Sequence, residues 1–133
     1  MIKRDIRLSD NDRRALFNVK NTIGIEHFYT TCRWAFCLSL DSDIDIKKLD
    51  SSSDGAVEIS WDRFGGDNTN LYYLLLLHEA KRLNLEEDED TLYDLLISHI
   101  RRGLNYLKGN KELKSLDGLS SRAFRKRQLE LIK

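Results

Sequence analysis

Apolar residues recur along this chain at two spacings, and the change from one to the other marks its elements. Asp5-Ile6-Arg7-Leu8 alternates polar and apolar, which predicts a short strand or extended arm. Ser9 then offers an N-cap, with Asp12 three residues on as an acidic capping-box partner. In the helix that follows, Ala15, Leu16, Val19 and Ile23 share one face, and Gly24 suits the left-handed residue that ends it. A second helix is predicted over about 25–40, where Ile25, Phe28, Tyr29, Cys32, Ala35 and Phe36 form a stripe. Trp34, Cys37 and Leu38 are apolar away from that stripe, so this helix should be buried on more than one face. That pattern suggests a helical hairpin whose outer side meets another subunit.

Residues 41–66 are rich in turn formers, with Val57, Ile59 and Trp61 alternating as a brief strand between them. A third helix over about 68–83 carries the run Leu71 to Leu77, which again lacks a polar face and points to an oligomer. Asp88, Glu89 and Asp90 open a fourth helix at the pole where the dipole favours negative charge. Its stripe is Leu92, Leu95, Leu96, His99, Gly103, Leu104 and Leu107. Arg101 and Arg102 are expected near its end, with Gly109 closing it. From about residue 115, apolar and basic residues mix in a tail that reads as a docking helix or a partly disordered segment. The fold class is therefore mostly α: one compact helical domain over 1–133, oligomeric, with a short N-terminal extended arm and a ribbon–helix–helix-like start.

Composition narrows the class. The 133 residues carry 41% hydrophobic and 33% charged side chains, which fits a globular chain. Cys32 and Cys37 lie five apart, about 140° apart on a helix, which disfavours a disulfide and fits a reducing cytoplasm. No apolar segment resembles a signal peptide or is long enough to span a bilayer, so no membrane partner is expected. Net charge is zero but uneven: +3 over 1–40, −10 over 41–100 and +7 over 101–133. A basic face for nucleic acid and complementary packing between subunits both fit that asymmetry.

Catalytic patterns are scarce. His78-Glu79 begins like a zinc-protease helix, but position 82 is Arg where a second His is needed. The cysteines and histidines lack metal-ligand spacing, and no phosphate-binding glycine loop or nucleophile elbow occurs. The acidic run Glu86 to Asp90 reads as a solvated helix start, and His99 as a core histidine. The expectation is a protein that is not an enzyme and takes no cofactor or metal.

The order strand–helix–helix is shared by repressors whose paired strands enter the major groove, which would turn Asp5 and Arg7 to DNA and Ile6 and Leu8 to the core. A strand that simply packs in an oligomer fits as well. The stretches Ile6 to Ser9, Thr22 to Ile25 and above all Cys32 to Leu40, with His99 to Leu104 and Leu113 to Leu119, resemble the DndE family of bacterial DNA phosphorothioation. That resemblance implies a compact helical homotetramer that binds duplex DNA, nicked duplex favoured, through a basic surface. It also implies work beside a cysteine desulfurase, an iron–sulfur protein and an ATPase. The DNA-contacting residues expected here are Lys3, Arg4, Arg7, Arg13, Arg14 and Lys20. Arg33 interrupts an apolar helix; it reaches DNA or anchors a buried ion pair between subunits, the second being favoured because such a charge needs a partner. A ribbon–helix–helix transcription regulator and a protein scaffold for the modification complex stand as alternatives.

Overall fold

A computed structural model describes residues 2–109; the tail from about residue 115, read as a docking helix or a partly disordered segment, lies outside them. Strand β1 (Ile6–Leu8) leads into α1 (Asp10–Ile23) and α2 (Phe28–Leu40). After a long loop come β2 (Val57–Ile59), a short α3 (Trp61–Gly65) and a 3-10 turn (Gly66–Asn68). Helices α4 (Thr69–Arg82) and α5 (Glu89–Gly109) are the last elements among the described residues.

The start of α1 forms as its sequence requires. Ser9 Oγ accepts the Asp12 N–H while the Asp12 carboxylate accepts the Ser9 N–H, a reciprocal box that stabilises the helix by about 1 kcal/mol. Ala15, Leu16 and Val19 are buried, and Gly24 ends the helix at φ 84°, a conformation that would strain any side chain.

Strand–helix–helix order is present, but the strand finds its partner inside the chain. β1 pairs antiparallel with β2, with Ile6 opposite Ile59 and Leu8 opposite Val57. Ile6 and Leu8 are buried and Arg7 faces out, as the alternation predicts. Tyr93 of α5 serves the same strand: its hydroxyl accepts the Arg7 N–H at 3.0 Å and donates to the Asp5 carbonyl at 3.2 Å. These backbone groups are therefore satisfied within one chain, where a ribbon–helix–helix dimer would need a second copy's strand.

Helix α2 is the centre of the domain. Cys32, Ala35, Phe36, Cys37, Leu38 and Leu40 are all buried, and α1, α3 and α5 of the same chain pack around the helix. Cys37 and Leu38, apolar away from the main stripe, are thus covered within the chain, while Trp34 stays half-buried. The backbones of α2 and α5 meet at Gly103, where a Cβ would fall 1.8 Å from the Ala35 carbonyl oxygen. Only a residue without a side chain lets the two backbones meet there.

Three local expectations need correction. α2 starts at Phe28, with His27 as its N-cap, three residues later than its apolar pattern indicates. Trp61 belongs to α3 rather than to the preceding strand, because Ser60 caps a new helix by accepting the Arg63 N–H. Arg101 and Arg102 lie more than a turn before the Gly109 end of α5, and their guanidinium groups reach α1, the last turn of α2 and the loop after it rather than the carbonyls at that end. Arg101 bonds the Asp12 carboxylate at 2.8 Å and the carbonyls of Asp50 and Ser52. Arg102 bonds the Ser39 carbonyl and hydroxyl and the Ile44 carbonyl. Two adjacent guanidinium groups thereby fasten the loop after α2 to α5.

Candidate nucleic-acid interface

The six cations expected to meet DNA are all exposed, but they occupy different surroundings. Arg4 sits 2.5 Å from Asp90 and 4.1 Å over the Tyr93 ring. Arg7 pairs with its cross-strand neighbour Glu58 at 3.2 Å. Arg13 and Arg14 share Asp10, at 2.8 and 3.1 Å, as i,i+3 and i,i+4 pairs. Exposed pairs of this kind are worth about 0–1 kcal/mol, so a phosphate can displace the carboxylate at small cost. Lys3 and Lys20 form no side-chain ion pair among the described residues.

Lys20 faces a groove of about 330 Å³ between the end of α1, the start of α2, β2 and α3. Glu26, His27, Tyr29, Glu58 and Arg63 line it with Lys20. Glu58 also links the groove to Arg7. Arg13 stands seven residues before Lys20, about 20° away around α1, so the two share a side of that helix. Arg14 instead lines a second cavity of about 480 Å³ with Arg101, Lys108, Asp12 and Asp50. Thus the structure joins Lys20 and, through Glu58, Arg7, while Arg4 and Arg14 point to other surfaces.

Arg63 and His27 were not among the expected contacts. The alternation around Trp61 concealed α3, and with it the side of the groove that Arg63 supplies. His27 carried no pattern beyond standing before an apolar run.

Arg33 finds partners within its own chain that the sequence did not indicate. Its Nε donates to the Phe64 carbonyl and its Nη2 to the Arg63 carbonyl at 2.7 Å, binding carbonyls that the short α3 leaves open. Its guanidinium also lies 5.0 Å from the centre of the Tyr29 ring. The charge is met by backbone dipoles and an aromatic face within one chain.

A buried polar chain runs through the core nearby. Ser39 Oγ lies 2.7 Å from His99 Nδ1, and His99 Nε2 lies 3.5 Å from Glu79 Oε2. The three residues are 0, 1 and 2% exposed, and the Ser39 hydroxyl also accepts a hydrogen bond from Arg102 Nε. Arg82 donates to Glu79 and to Asp45, so the buried carboxylate has a cationic partner. This serine–histidine–glutamate series ties α2, α4 and α5 together as a core network. Elsewhere, burial pushes the Cys32 thiol far up and, with the nearby Cys37, lifts the Tyr72 hydroxyl to about 12. Burial opposes the charge on Arg101, but hydrogen bonding and attraction to Asp12 outweigh it and raise its pKa. No group of three or more potential metal ligands occurs among the described residues.

Fold and surface together define a small helical domain with a two-stranded flap, its buried ions committed to packing and a groove of mixed charge at one edge. The chain belongs to the DNA sulphur modification protein DndE family, whose profile matches residues 5–115. Its fold is similar to the crystal structure of DndE from Escherichia coli B7A, involved in DNA phosphorothioation modification. That likeness has a TM-score of 0.67 at 20% identity, over 80% of this chain and 98% of that one. A search of curated proteins finds no match.

Proposed function

We propose that this chain is a non-catalytic DNA-binding component of a bacterial phosphorothioate-modification system, working as a cytoplasmic homo-oligomer, a tetramer, beside the system's other proteins. The observation that carries the reading is Lys20 and Arg63, exposed cations from different elements on one groove in a DndE-family protein. Neither side chain forms an ion pair among the described residues. With Lys3 they are cations open to phosphate without breaking an ion pair, and Arg7 and Arg13 extend the same surface. Phosphate contacts of this kind give affinity without a sequence code. The non-catalytic part draws on the burial of the Ser39–His99–Glu79 series. The oligomer draws on exposed apolar side chains, Phe17 at 44%, Ile44 at 67% and Leu74 at 57%.

A scaffold for protein partners is the second reading, and the carboxylates already held by Arg4, Arg7, Arg13 and Arg14 favour it. A ribbon–helix–helix regulator has less support, because β1 is paired within the chain. Fluorescence anisotropy with two labelled duplexes of unrelated sequence, intact and nicked, tests all three. Similar binding of both sequences at low salt is expected. Absence of binding would leave the scaffold, and strong discrimination between sequences would favour a regulator.

A further inference from the structure

The groove beside Lys20 has walls of two kinds. The His27 and Tyr29 rings stack within it, centroids 4.9 Å apart and planes 8° apart. His27 is exposed, so its ring is available to a further flat partner. Arg33, anchored on α3 carbonyls, steadies Tyr29. Lys20 and Arg63 add two cations, but Glu26 and Glu58 add two carboxylates.

This mixture suits a continuous phosphate backbone poorly, because carboxylates within the same small groove repel it. It suits a neutral, flat, hydrogen-bonding ring whose phosphates stay at the rim. A space of about 330 Å³ also matches the smaller ligand sites of proteins. Unpaired bases are bound in this way generally, by stacking on His or Tyr rings while neighbouring cations hold the backbone. Glu58 is engaged by Arg7, which leaves Glu26 as the acceptor for a base amino group.

We propose that the groove captures one unstacked nucleobase of DNA on His27, its flanking phosphates held by Lys20 and Arg63. The proposal rests on the DNA-binding reading above and adds a preference for an extrahelical base that phosphate contacts alone do not give.

The test uses the full chain and two duplexes of the same sequence, one fully paired and one carrying a single extrahelical 2-aminopurine. Anisotropy should show the bulged duplex bound about tenfold more tightly, and stacking should quench the 2-aminopurine emission. His27→Ala should bring the two affinities together and restore the emission, whereas His27→Phe should keep most of both effects. Equal affinities with unquenched emission would overturn the proposal while duplex binding stands. Failure to bind either duplex would bring down the DNA-binding reading with it. Adenosine monophosphate serves as the free-nucleotide probe. Its binding without any preference for the bulged duplex would assign the groove to free nucleotides and overturn capture from DNA.

Discussion

Replacing Gly103 by alanine puts the packing of α5 on α2 to a direct test. The new Cβ would lie 1.8 Å from the Ala35 carbonyl oxygen and 2.6 Å from its Cα. Real Cβ contacts essentially never fall below 3.0 Å, so the helices would have to part by more than an ångström. A radial gap of about 0.5–1 Å already forfeits a quarter to a half of each dispersion contact. Phe36 and Leu104, buried side chains of these helices, would feel that loss. Alanine gains about 1 kcal/mol over glycine in helix propensity, against overpacking of about 3 kcal/mol or more at a rigid backbone contact. The net expectation is a destabilisation of about 2–3 kcal/mol, or about 10 °C in Tm for a domain of this size. Thermal unfolding followed by circular dichroism measures it. Ala35→Gly should not rescue the variant, because the clash is with backbone atoms that the second change leaves in place. An unchanged or raised Tm for Gly103→Ala would refute this packing.

Three further outcomes follow from the polar contacts. Arg101→Met should cost about 3 kcal/mol by leaving buried Asp12 without its cation, and adding Asp12→Asn should recover part of it; additive losses in urea unfolding would show the pair uncoupled. Tyr93→Phe should cost about 1–2 kcal/mol and raise hydrogen exchange at the Arg7 amide, and unaltered protection there would show that the hydroxyl does not hold β1. Hydrogen bonds from the Thr91 hydroxyl and N–H hold the Asp88 carboxyl below its ordinary pKa. Its contribution is therefore present above the ordinary carboxylate range and lost as pH falls through the lowered value. Asp88→Ala should lower Tm at neutral pH, and its gap from the parent should narrow as pH falls below the ordinary carboxylate range; a gap that does not narrow would contradict that linkage.

Periodicity alone revealed α1, whose burial is one-sided: its stripe and its Ser9–Asp12 box lie where the pattern puts them, because local capping and a single buried face leave a local signal. The α5 stripe is buried as well, but so are Tyr93, Ile97, Ser98 and Ile100 beside it, which its periodicity did not mark. Helix α2 was legible as buried on several sides, but the identity of its neighbour was not. That neighbour is α5, some sixty residues on, and its approach depends on Gly103 rather than on a second subunit. Arg33 and Arg101 show the same limit. A charged residue in an apolar pattern announces that it needs a partner, yet its partners here are carbonyls and a carboxylate brought close by long-range folding. The candidate interface was half legible. Lys20 could be picked out as a cation on a helix, whereas Arg63 reaches the groove only because Ser60 starts a short helix that the alternating residues hide.

The salt dependence of DNA binding tests the proposed role most directly. If Lys3, Lys20 and Arg63 each neutralise one phosphate, the log–log slope of affinity against salt should be about −2.7 or steeper per chain. Lys20→Gln and Arg63→Gln should each make it shallower by about 0.9 and weaken binding to all sequences alike. A parent slope near zero, or a slope that neither substitution changes, would contradict DNA binding through this groove.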